Sequence, residues 1–327
     1  MRRREFIAGI GAAAWPLVAR AREGERVRRV GMLAGGAEND PGWSGNRDAF
    51  WEGLAKLGWI DGRNLRVDLR FAADDTDRMR TYAAELTRLA PDVIVTVSNA
   101  ATRAAQQQTK TIPIVYAAGG DPALVGLVRN LARPEGNITG FVAYEASIAS
   151  KWLELLKDAA PHLTTVAILY DPQIGMMAPG YIAAIEAAAA ALSIGIVKAP
   201  AHDPAEIMRA VDAFGSTPNG GLVVLQPPRT AVLDAISPLA LRYRMPAIYQ
   251  GLAATAAGGL VSYGNDTSDN FRRAAGYVDR LLRGAKVSEL PVQFPTKYKL
   301  IINAKTAKAI GLTIPESFLL RADEVIE

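Results

Sequence analysis

The stretch Pro91-Asp92-Val93-Ile94-Val95-Thr96-Val97-Ser98-Asn99-Ala100-Ala101-Thr102 decides the fold class. Pro91 interrupts the helical pattern before it. Residues 93–97 are then an unbroken apolar, β-branched run, the mark of a strand buried on both faces. Ser98-Asn99 follows directly, and its side-chain oxygens suit the start of a helix at 100–108. A buried strand running into a capped helix is one βα unit of a parallel sheet.

The same unit recurs on both sides. Upstream, 27–33 reads as a strand ending at Gly35-Gly36, and 46–57 as a helix with Phe50, Leu54 and Leu57 on one face. A strand at 64–71 alternates Leu65, Val67, Leu69 and Phe71, and 77–89 is a helix. Downstream, 113–117 is a strand, and Asp121-Pro122 opens a further helix with proline at its favoured first position. A second series then begins. It has strands at 165–170, 194–199, 222–225 and 247–249, with helices at 181–192, from Asp203-Pro204 to 214, and at 231–243. Two such series predict an α/β protein of two doubly wound, Rossmann-like lobes. Ligands in such sheets bind beyond the C-terminal strand ends, so two facing lobes make a cleft. Three segments are left over: a strand at 260–263, a helix at 271–282 and a strand at 298–302. They suggest that the chain returns to the first lobe; a simple tandem of two domains is the alternative.

Composition narrows the function. The 327 residues are 50% hydrophobic and 21% charged, an ordinary globular balance with room for two cores. There is no cysteine, which excludes disulfides, thiolate metal sites, a cysteine nucleophile and a lipid anchor on an N-terminal cysteine. Two histidines argue against a multi-histidine metal site, and no cofactor is expected. The net charge of +4 is concentrated at the start, where Arg2, Arg3, Arg4 and Arg20 face one acid, Glu5. The remainder is close to neutral and offers no nucleic-acid footprint.

That start reads as an export signal over residues 1–21. Arg2-Arg3-Arg4 is followed by an apolar run at 6–18 and by Ala19-Arg20-Ala21, an A-x-A cleavage site. Arg3-Arg4-Glu5-Phe6-Ile7 is of the twin-arginine type. A buried N-terminal helix is the alternative. The expectation is a free periplasmic protein beginning at Arg22.

Catalytic signatures are missing. The sequence has no G-x-S-x-G elbow, no phosphate-binding G-x-x-x-x-G-K-[ST] loop and no H-E-x-x-H pair. His162 and His202 read as structural, and the first βα loop lacks the G-x-G-x-x-G order of a dinucleotide site. What remains is a set of polar residues at strand ends. Ser98, Asn99 and Thr102 stand at a helix start, where backbone N–H groups favour a carboxylate; plain capping is the other reading. Asp121 could bind an amine or simply cap the turn before Pro122. Asp171 and Gln226 hold equivalent positions in the second lobe. Tyr249 ends another strand, and Tyr263 and Asp266 lie where the chain is expected to cross between lobes.

Several longer strings resemble one family, the ABC transporter substrate-binding proteins that include the tryptophan- and tyrosine-binding proteins. They are Leu57-Gly58-Trp59-x-x-Gly62-Arg63-Asn64, Ala90-Pro91-Asp92-Val93-Ile94, Thr111-Ile112-Pro113-Ile114-Val115 and Leu131-Ala132-Arg133-Pro134-x-Gly136-Asn137-Ile138-Thr139-Gly140. Lys151-Trp152-Leu153-Glu154-Leu155-Leu156-Lys157, Tyr277-Val278-Asp279-Arg280, Leu290-Pro291-Val292-Gln293 and Asn303-x-Lys305-Thr306-Ala307-Lys308 continue the series to the C-terminus. The resemblance implies a type I periplasmic-binding fold with three crossover segments, near 140–144, 250–259 and 298–303. Lobe 1 would then hold 26–141 plus 259–300, and lobe 2 would hold 142–258 plus 301–327. It also implies a monomer that closes on a small organic solute, an amino acid or another carboxylate compound, and hands it to an ABC permease in the inner membrane. Ser98, Asn99 and Thr102 would hold the ligand carboxylate. Asn99-Ala100 departs from the small residues usual in the family at this point, and the lack of cysteine departs from its lipoprotein members. A ligand-sensing module or an exported hydrolase are the rival functions.

Overall fold

The computed structural model describes residues 26–172, 177–225 and 230–327. The expected export signal and Gln226 lie outside the described residues.

The first sheet is built from β1 (Arg28–Ala34), β2 (Leu65–Phe71), β3 (Val93–Val97), β4 (Ile114–Ala118) and β5 (Ile138–Gly140). All neighbours pair in parallel, in the order β2-β1-β3-β4-β5. The β-branched run that marked β3 is buried as expected, with Val93, Ile94 and Val95 at most 1% exposed. Helix α1 (Trp43–Lys56) packs on one face through Phe50 and Leu54, in the same core as Val30, Met32 and Val95. Helices α2 (Thr76–Arg88) and α3 (Asn99–Gln108) cover the other face through Met79, Leu86, Ala101 and Ala104.

The second sheet contains β6 (Thr165–Tyr170), β7 (Gly195–Pro200), β8 (Gly220–Val224), β9 (Ala247–Tyr249), β10 (Val261–Asn265), β11 (Tyr298–Asn303) and β12 (Glu324–Ile326). Its order is β12-β11-β10-β9-β8-β6-β7, with β11 antiparallel to β10 and the other pairs parallel. Helices α4 (Ala149–Ala159) and α5 (Met177–Leu192) pack on one face with Val166, Ile168 and Val223. Helices α6 (Pro204–Phe214), α7 (Thr230–Arg242) and α8 (Ala253–Ala256) lie on the face of Leu169, Leu222 and Val224.

Two expectations are corrected. The strand at 260–263 does not return to the first lobe. As β10 it joins the second sheet, bonded to β9 and β11. The crossing expected at 250–259 therefore falls after Asn265, where α9 (Thr267–Leu282) leaves the second sheet and packs Phe271, Ala275, Val278 and Leu282 beside α1 in the first core. The second correction concerns Asp121-Pro122, which opens turns rather than a helix. Gly126 adopts a left-handed φ of 69° there, and the amides of Leu127 and Val128 turn back to the Pro122 carbonyl.

Candidate functional site

The strand order of the first sheet reverses between β1 and β3, and that of the second between β6 and β8. Ligands bind where such reversals leave a crevice beyond the strand ends. The loops leaving these ends meet across the two sheets. The Thr230 hydroxyl, at the start of α7, donates to the Asn39 carbonyl in the loop after β1. A Cβ built on Gly42, in the same loop, would stand 3.1 Å from the Ala253 Cβ at the start of α8. Gly42 has a left-handed φ of 81°, which is natural for glycine. The two lobes are thus drawn together at the rim.

The first-lobe wall centres on the end of β3. Ser98 carries an unusual φ of 106° and caps α3, its Oγ accepting from the Ala101 amide at 3.2 Å. Its neighbour Gly35 has no room for a side chain, since a Cβ would approach Ser98 Oγ to 2.4 Å. Asn99 is half-buried, and its Oδ1 accepts from the Tyr116 hydroxyl. The amides of Asn99 and Ala100, at the start of α3, have no acceptor among the described residues, as the first amides of a helix do. Asp121 is half-buried after β4, with Oδ1 accepting from the Ala123 amide at 2.8 Å.

Thr102 is placed elsewhere. It is fully buried, its hydroxyl donating to the Ser98 carbonyl at 2.8 Å and lying 2.7 Å from the Thr96 hydroxyl. It buttresses the cap from within and has no face left for a ligand. Tyr249 is also a core residue, 3% exposed and packed with Ala247, Met245 and Ala254 behind the second sheet. Tyr263 lies against Tyr298 with ring centroids 5.7 Å apart, and its carbonyl accepts from the Trp152 indole. Asp266 caps α9 by accepting from the Ser268 amide at 3.0 Å and pairs with the Lys299 ammonium at 3.0 Å. Burial works to raise its pKa, but the bonds from Ser268 and Lys299 outweigh burial and hold it below the ordinary value. Tyr263 and Asp266 therefore serve the crossover segments.

Asp171 is buried at the end of β6, with Oδ2 3.0 Å from His202 Nδ1. His202, which reads from sequence as structural, gains this acidic partner because the loop after β7 folds back over the end of the neighbouring strand.

The residues that sequence reasoning missed are the more informative ones. Trp43 Nε1, Gln250 Oε1 and both amide atoms of Asn265 are buried with no hydrogen-bond partner among the described residues. All three residues stand at or just beyond the C-terminal ends of sheet strands, β1, β9 and β10. Trp43 follows Gly42 and packs edge-on against Phe71 and Phe271. Gln250 ends β9, its Nε2 donating to the Leu225 carbonyl at 2.8 Å. Asn265 ends β10 and, by strand alternation, shares a face with Tyr263. Around the first crossover lie Tyr116, Tyr144, Tyr181 and Glu145, with Tyr298 donating to Glu145 at 2.6 Å. Burial pushes the Tyr144 hydroxyl up to about 12. Burial likewise pushes Tyr116 and Tyr181 far above the ordinary tyrosine range, and Asp121 adds to both. All three remain protonated donors at neutral pH. Among the described residues no acid or histidine cluster could hold a metal ion.

The family model for ABC transporter substrate binding proteins matches residues 39–326. The chain belongs to that family. This substrate-binding protein is 25% identical over 272 residues to a tyrosine-binding protein of Clostridioides difficile, a match covering 81% of this chain and 76% of that one. Its structure superposes on a conserved domain protein of Vibrio cholerae with a TM-score of 0.84 and 26% identity, covering 92% of this chain and all of the other. It also superposes on an ABC domain in complex with L-Trp from Streptococcus pneumonia, with a TM-score of 0.83 and 25% identity over 91% and 99% of the two chains. The two-lobed type I periplasmic-binding fold and the role as solute-binding component of an ABC transporter follow. Among the described residues no helix is long and apolar enough to cross a membrane.

Proposed function

We propose that this substrate-binding protein captures a free amino acid outside the cytoplasm, with aromatic amino acids the leading class, and presents it to an ABC permease. The observation that carries this is a set of four buried polar atoms, on Trp43, Gln250 and Asn265, that have no partner among the described residues. Each buried orphan costs about 1–3 kcal/mol until it finds a partner. A ligand that supplies the missing partners removes that cost. The set contains donors, Trp43 Nε1 and Asn265 Nδ2, and acceptors, Gln250 Oε1 and Asn265 Oδ1. A zwitterion complements both kinds. Its carboxylate would face the open amides of Asn99 and Ala100 at the positive end of α3, and its ammonium would face Gln250, Asn265 and the Asp121 carboxylate. The aromatic rings of Trp43, Tyr144 and Tyr181 suit a flat apolar side chain. The relatives named for tyrosine and found with L-Trp support the same class.

Closure around the solute buries it and sets the lobe geometry that a permease can read. Nothing in this reading requires a bond to be broken. The test is native mass spectrometry of the purified protein, followed by calorimetry against the amino acids. A co-purifying amino acid, or micromolar binding of tyrosine or tryptophan with a raised melting point, is expected. Binding of a sugar or polyol, with no response to any amino acid, would overturn the proposal.

A further inference from the structure

We propose that Tyr116 is a positioning residue that holds the Asn99 side chain with its amide nitrogen turned toward the ligand carboxylate; this rests on the amino-acid reading above. Tyr116 lies in β4, is fully buried and packs its ring in the hydrophobic core. A phenylalanine would fill that volume equally well. The hydroxyl is an expense unless it is hydrogen-bonded, and its partners are both at the edge of the cleft. Its one proton is shared between two acceptors, Asn99 Oδ1 and the Gly120 carbonyl at 2.6 Å. Burial, its largest influence, keeps the phenol protonated and therefore a donor.

The surrounding backbone is shaped for this contact. A Cβ on Gly119 would fall 1.9 Å from the Tyr116 hydroxyl and 2.8 Å from Asn99 Oδ1. Hydroxyl and amide can meet only because residue 119 has no side chain. With Oδ1 held by Tyr116, the other end of the Asn99 amide is its Nδ2 donor, which has no protein partner among the described residues. It stands in the same helical turn as the open amides of Asn99 and Ala100. Three donors from two adjacent residues form a recognition group for a carboxylate, and one of the three depends on a tyrosine that never touches the ligand.

The test compares wild type, Tyr116→Phe, Asn99→Ala and the double variant by calorimetry. The probes are L-tyrosine, L-tryptophan and their methyl esters, which keep the ammonium and ring but lose the carboxylate charge. Wild type should prefer the free acids. Tyr116→Phe should lose about tenfold or more in affinity for the acids, the size of one hydrogen bond to a charged group. It should lose little for the esters, so the acid-to-ester ratio shrinks. Asn99→Ala, on a half-buried helix start that tolerates truncation, should give the same pattern, and the double variant should lose no more than either single. A lowered melting point with an unchanged acid-to-ester ratio, or losses that add, would overturn the role of Tyr116 alone. Failure of wild type to bind either acid would overturn the amino-acid reading, and the role of Tyr116 with it.

Discussion

Replacing Asn265 with leucine removes both polar atoms of that side chain and keeps its branching and heavy-atom count, with somewhat larger methyl groups. Asn265 is 5% exposed, and neither Oδ1 nor Nδ2 has a partner among the described residues. At about 1–3 kcal/mol per orphan, this side chain alone adds roughly 2–6 kcal/mol to the free energy of a closed, empty cleft. In the open form water solvates the same atoms, so the penalty falls on closure and not on folding. Leucine lifts it. Even at the lower bound the closed form gains about thirtyfold in relative population. The same substitution deletes the hydrogen bonds that Asn265 would give a ligand, which at ~1–1.5 kcal/mol each lowers affinity by about 10–100-fold. Small-angle scattering and calorimetry read the two effects separately. Empty wild type should scatter as the expanded form and compact with ligand. Empty Asn265→Leu should already be compact and should bind more weakly. A variant that stays expanded when empty and binds with wild-type affinity would show that Asn265 neither opposes closure nor meets the ligand.

Three further outcomes are expected. Ala253→Leu places a larger side chain at the rim contact with Gly42, which already leaves only 3.1 Å for a Cβ; ligand affinity should fall at least tenfold while the melting point of the empty protein moves by no more than a degree or two. Gly140→Ala should cost about 3 kcal/mol or more, because the new Cβ would stand 2.0 Å from the Tyr116 carbonyl at a φ of 142°, and thermal unfolding or loss of soluble yield will show it. Asp266→Asn should destabilise by about 1 kcal/mol near neutral pH through loss of the α9 cap charge and the Lys299 pair. Because the folded pKa of Asp266 is lowered, its contribution is present above the unfolded value near 3.9 and is lost as pH falls through the folded one. Melting curves of variant and wild type should therefore differ at pH 7 and converge below about pH 4.

The local signals were strong wherever a buried parallel strand ran into a capped helix. The Val93–Val97 run, the Ser98 cap and the Asp203-Pro204 helix start stand as their composition dictates. Sheet membership was not legible in the same way. Val261–Asn265 has the pattern of a central strand, and nothing local says which of two similar sheets it joins; that is decided by its pairing with Ile248 and Tyr249 and by the antiparallel return of Tyr298–Asn303. The site was legible only in part. Tyr116 carries no signal of its own within an apolar strand, because its polar partners Asn99 and Gly120 meet it only in the folded chain. Trp43 carried a faint signal, an aromatic ring directly after Pro41-Gly42 in the first βα loop. Tyr249 misled because the face that a three-residue strand shows to the core cannot be set by alternation over so short a run. His202 finds Asp171 through the pairing of β7 with β6, which no spacing along the chain reveals.

A solute held between the two sheets should complete the hydrogen bonding of a closed cleft, and a crystal structure grown with the amino acid that binds best would show it. A molecule is expected between the lobes, with its carboxylate at hydrogen-bond distance from the Asn99 and Ala100 amides and with Gln250 Oε1 and the Asn265 amide newly paired. A bound molecule outside the gap, or one inside it that leaves those atoms without partners, would contradict it.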